Sequence, residues 1–185
     1  FMYNSATRNI SLPVFQRGYD WGKKHVRDFL DDLKNVIDLR QKNPNEAWYF
    51  GDVYNKGTSP NEKNLEIVDG QQRLATCYLA ILCARDYFYE RDAGTSSPKD
   101  NNLEWMEGYL YHPHSGTSKP DINNPIVELG LLNRAFFENH VMPQLKPVDK
   151  SKQMGKNYPN DSCKNLWRAY KLISAEFGEI INSHA

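Results

Sequence analysis

The chain of 185 residues carries 23 Lys+Arg against 23 Asp+Glu, and 39% of it is hydrophobic, with a mean hydropathy of −0.73. That length fits one globular domain, the zero net charge argues against a broad nucleic-acid-binding surface, and no apolar run approaches the roughly 18–20 residues of a membrane-spanning helix. An aromatic content of 12% is too high for a disordered chain, so the apolar residues must be concentrated and diluted by polar connections.

Ile10 to Phe15 reads as a short strand interrupted by Pro13, which places it at a sheet edge or at a strand end. Residues 23–40 space Val26, Phe29, Leu30, Leu33, Val36 and Ile37 by threes and fours, predicting an amphipathic helix with Asp20 as its N-cap. Residues 47–54 read as a strand with Gly51 inside it, where a bulge or a close backbone approach is expected. After a polar turn over 55–64, Leu65 to Val68 is a second strand and residues 74–89 a helix.

Residues 91–125 are rich in Gly, Pro, Ser, Thr, Asn and Asp, which predicts mostly loop with one helical turn around Leu103–Tyr111. A third helix is expected over 129–142, ended by Pro143. The last starts near Asp161 or Ser162 and carries Leu166, Tyr170, Ile173, Phe177 and Ile180 on one face. The predicted fold is α/β, a small mixed sheet with flanking helices followed by additional helices. Residues 1–90 form its core, 91–128 a polar insertion and 129–185 a helical extension, packed as a single compact unit.

Cys77, Cys83 and Cys163 are odd in number and include no CxxC, so they read as reduced thiols of a cytoplasmic protein with no metal site. No signal-peptide apolar region opens the chain, which we expect to be a piece of a longer protein. His112-Pro113-His114 reads as a loop tip rather than a metal site.

Two clusters carry chemistry. In Ile67-Val68-Asp69-Gly70-Gln71-Gln72-Arg73 a strand runs into Asp-Gly and a helix starts at once. Unpaired N–H groups and the positive end of the helix dipole make such a junction attract an anion such as phosphate. Arg73 would add a bidentate contact, Gln71 and Gln72 would orient water or bond a phosphate oxygen, and Asp69 would hold Mg²⁺ or accept a proton. A strand–turn–helix with solvated glutamines is the plainer alternative. The second cluster, Phe15-Gln16-Arg17-Gly18-Tyr19-Asp20-Trp21, surrounds Arg17 with aromatics. These either present a stacking platform or anchor the core with Arg17 packed over them.

Taken together, FQRGYDW, an amphipathic helix, YFGDVY and LEIVDGQQRLAT resemble the N-terminal domain of GmrSD-type restriction proteins, which belong to modification-dependent (type IV) anti-phage defence. The match covers Pro13, Phe15, Gln16, Arg17, Tyr19, Trp21, Phe50, Gly51, Asp69, Gly70, Gln71, Gln72, Arg73, Leu74 and Thr76, strongest over residues 10–90. The resemblance implies a fold related to ParB and sulfiredoxin, with the Asp-Gly-Gln-Gln-Arg turn at a nucleotide phosphate site. It implies hydrolysis of a nucleoside triphosphate, GTP favoured, coupled to cleavage of modified DNA by a separate nuclease domain or subunit.

Carried over by position, Asp69, Gln71, Gln72 and Arg73 would be catalytic. Gln16, Arg17, Tyr19, Trp21, Gly70 and Arg73 would bind nucleotide. No His-x-x-x-Asn-x-x-x-His pattern of the usual nuclease module occurs, and no P-loop, since Thr58 rather than Lys follows Gly57. The alternative reading is a non-catalytic sensor of DNA modification, or a scaffold for that nuclease.

Overall fold

The computed structural model describes residues 9–13, 17–47, 49–56, 64–92, 102–143, 149–150, 154 and 157–184. In chain order the first elements are β1 (Asn9–Ser11), α1 (Lys23–Lys42), β2 (Tyr54–Asn55), β3 (Asn64–Asp69) and α2 (Gln71–Asp92). Then come α3 (Asn102–Leu110), β4 (Tyr111–Pro113), β5 (Pro120–Pro125) and β6 (Val127–Glu128). A short α4 (Arg134–Phe136) runs into a π-helical turn over Phe137–Val141, and α5 (Asp161–His184) follows. The fold is mixed α/β, as the sequence predicts.

The main sheet has the order β2-β3-β1-β6. β1 is parallel to β3, with Ile10 opposite Leu65, and parallel to β6, with Ile10 opposite Val127; β2 is antiparallel to β3. Leu65 and Ile67 alternate with residues of the opposite face, and both are buried, as the period of two in a strand requires. α2 is buried on nearly every face because it is the central helix, packing against both α3 and α5. α1 buries Val26, Phe29 and Leu30, and α5 buries Leu166, Tyr170, Ile173 and Ile180. Phe177 is half-buried.

Several boundaries differ from expectation for identifiable reasons. β1 lies in the middle of the sheet, so of the two expectations for Pro13 the strand end holds and the sheet edge does not: the strand stops at Ser11. The predicted strand over 47–54 shrinks to β2, because Gly51 turns the chain with φ +90°; Trp48 lies outside the described residues. Asp20 does not cap α1. Gly22 holds that position, while the Asp20 N–H donates to Gln72 Oε1 at 2.8 Å. α5 is capped by Asn160, whose Oδ1 accepts the Cys163 N–H at 2.8 Å.

The polar stretch before 128 holds the β4–β5 hairpin and β6, a strand of the main sheet. The hairpin also moves His112 off a loop tip. It lies in β4, buried, while His114 faces Asp121 at 3.6 Å. Among the described residues no helix is long and apolar enough to cross a membrane.

One polar cluster is buried beside the core. Asp86 accepts from Arg85 Nη2 at 2.7 Å, Lys150 Nζ at 2.5 Å and the Tyr170 hydroxyl at 2.7 Å. Arg85 Nη2 also donates to Met142 O at 2.9 Å, and Lys150 Nζ to Val141 O at 2.6 Å. Three helical segments are thereby tied through one carboxylate.

Candidate functional site

The chain leaves β3 at Asp69, turns at Gly70 and enters α2. Gly70 has φ +81°, and a Cβ there would come within 2.8 Å of Asp52 O, so both backbone conformation and space demand glycine. Asp69 Oδ1 accepts the Gly70 N–H at 2.7 Å, and Gly70 O accepts the first helical bond from Leu74 N at 3.0 Å. The N–H groups of Gln71, Gln72 and Arg73 therefore have no intrahelical acceptor and form the positive end of α2.

Arg17, Trp21, Asp69, Gly70, Gln71, Gln72 and Arg73 line one open cleft of about 270 Å³. The two arginines come from segments more than fifty positions apart, so only the fold brings them together. Arg17 pairs with Asp20 at 3.3 Å, yet its side chain remains 76% exposed and able to turn toward a ligand. Trp21 stacks on His25 at 5.9 Å and forms one wall. Arg73 donates from Nη2 to Asp52 O at 2.7 Å, and its Nε has no partner among the described residues.

The glutamines do something other than face solvent. Gln71 is buried and donates from Nε2 to Ile67 O at 2.7 Å, fastening the helix start to its strand. Gln72 bridges to the other cluster: Nε2 donates to Gly18 O at 3.1 Å while Oε1 accepts from Asp20 N. Both amides are thus committed to backbone groups rather than free in solvent.

Tyr19 is placed away from the cleft. It is buried, its hydroxyl lies 2.9 Å from Thr76 Oγ1, and burial pushes its ionisation well above the ordinary tyrosine range. Thr76 Oγ1 donates to Gln72 O at 2.8 Å, so the Tyr19 hydroxyl is the donor to Thr76. Its geometry is that of an anchor holding the Arg17 segment on α2. Gln16 lies outside the described residues.

Sequence reasoning missed the outer supports. Gly18 sits so close to α5 that a Cβ would lie 2.2 Å from Ser162 Oγ. Ser162 Oγ donates to Tyr19 O at 3.0 Å, and Asn133 Oδ1 accepts the Tyr19 N–H at 3.0 Å. No local pattern marks Asn133 or Ser162, since each acts only across the tertiary fold.

Among the described residues Asp69 is the one carboxylate lining the cleft, and no group of three or more His, Cys, Asp or Glu could hold a metal. A single carboxylate fits Mg²⁺ carried in with phosphates and water, which needs only one or two protein carboxylates.

The family described as "GmrSD restriction endonuclease, N-terminal domain" matches this chain over residues 2–184. No curated protein matches it.

Proposed function

Because the chain belongs to the family of GmrSD restriction endonuclease N-terminal domains, we propose that its cleft binds and hydrolyses a nucleoside triphosphate, GTP favoured, within a DNA restriction protein whose cleavage is performed by a nuclease part. The observation that carries this reading is the convergence of Arg17, Arg73 and the α2 N-terminus on one cleft. Three sources of positive potential at one spot suit a polyphosphate.

Phosphate oxygens would accept from the free N–H groups of Gln71, Gln72 and Arg73, with Arg17 closing over them. Asp69 would take a proton from the water that attacks the terminal phosphorus, as the bond to the bridging oxygen breaks and the diphosphate leaves. Mg²⁺, when bound, would neutralise charge on the phosphates. Gln71 and Gln72 act as positioning residues, since their amides are held by Ile67, Gly18 and Asp20. Trp21 would flank the ligand.

The test is titration calorimetry with GTP and ATP on wild type, Arg17→Ala and Arg73→Ala. Heat lost in both variants is expected, and unchanged affinity in both would overturn the reading. A second reading, a nucleotide- or DNA-responsive sensor without turnover, draws on the same glutamine bonds, which hold both amides on backbone groups. Phosphate release with and without modified DNA separates the two readings.

A further inference from the structure

A second depression lies on the far side of Trp21. It measures about 560 Å³, runs between the start of α1 and the first half of α5, and has Val26, Ala169 and Leu172 as its apolar floor. Lys23, Arg168 and Lys171 stand around it, and among the described residues no acidic one lines it. Arg168 and Lys171 are exposed. Neighbouring Lys24 and Lys34, by contrast, are neutralised by Asp28 and Glu176. The molecule as a whole carries no net charge, so three cations around an apolar floor with no acidic partner among the described residues are a local arrangement, not a consequence of composition.

We propose that this groove binds a single DNA strand, with an unstacked base on the apolar floor against Trp21 and backbone phosphates on Lys23, Arg168 and Lys171. Charge complementarity and an aromatic wall beside an apolar floor are the two features that single-strand binding sites combine. Trp21 also lines the anion cleft, so the strand continues past the indole toward exposed Arg17. The proposal does not need nucleotide turnover. It assigns an interaction to α5 residues that the triphosphate cleft does not use.

The test is fluorescence anisotropy of a labelled oligothymidylate over a range of salt concentrations. Arg168→Ala/Lys171→Ala is expected to weaken binding roughly tenfold and to flatten the log–log salt slope by about 1.4, because two phosphate contacts are lost. Lys42→Ala, an exposed cation at the other end of α1, is expected to leave both unchanged. No binding by wild type, or equal binding by the double variant, overturns the proposal. So does equally strong competition by poly-glutamate, which would assign the groove to an acidic protein segment.

Calorimetry with GTP on the same double variant keeps the two sites apart. Retained triphosphate binding with lost oligonucleotide binding is the expected pattern. Failure of triphosphate binding in wild type would strike the cleft reading alone.

Discussion

Arg73 extends beneath Gly51, so that a methyl group on Gly51 would lie 2.5 Å from its Nη1. The glycine turns with φ +90°, and the next residue's carbonyl takes the Arg73 Nη2–H at 2.7 Å. The turn before β2 is therefore the seat of the guanidinium. Gly51→Ala should cost about 1–2 kcal/mol in backbone strain, plus the displacement of Arg73. In an Arg73→Ala background only the strain should remain. A double-mutant cycle by denaturant unfolding checks this, and equal costs in both backgrounds would contradict the seat.

Gln72 joins the two motifs through both atoms of its amide. Gln72→Ala should lower stability by about 1–2 kcal/mol, since the Asp20 N–H and Gly18 O lose their partner. It should also weaken triphosphate binding by freeing the Arg17 segment. Adding Arg17→Ala to Gln72→Ala should then cost less affinity than Arg17→Ala does alone, which calorimetry on the four proteins measures.

Asp86 is the one acceptor shared by Arg85, Lys150 and Tyr170 in a fully buried setting. Asp86→Ala should destabilise the protein by about 3–5 kcal/mol, because it strands two buried cations. Asp86→Ala/Lys150→Met should recover part of that loss by removing one of them. Thermal unfolding of the three proteins is the measurement.

Burial pushes the Cys77 thiol from 9.0 up to about 11, and it moves Cys83 and Cys163 in the same direction. A folded-state value above the unfolded one contributes stability that is complete below pH 9 and disappears as pH rises through about 11. Burial moves Lys150 the other way, from 10.5 to about 8, so its contribution grows over part of that range. Comparing wild type with Cys77→Ala isolates the thiol. The variant should lose about 2 kcal/mol less stability between pH 9 and pH 11, read from urea unfolding at each pH.

Much of this arrangement was legible in the sequence because it is local. Periodicity places α1 and α5. Asp69-Gly70 marks the turn into α2, since a strand must reverse into a helix there with the left-handed geometry that glycine allows. The two motifs and their order identify the family without any coordinates. Tertiary structure alone decided what each side chain touches. Tyr19, Gln71 and Gln72 look like pocket groups in sequence; in the fold Thr76, Ile67 and Gly18 hold them, and the two glutamines line the cleft as well.

The polar stretch before residue 128 reads as an insertion, yet β6 completes the main sheet beside β1. Strand pairing between residues 10 and 127 depends on backbone groups that carry no side-chain signature. The balanced charge is a global sum. Its local imbalance at Lys23, Arg168 and Lys171 arises only when α1 and α5 pack side by side, because a sum over sequence contains no positions in space.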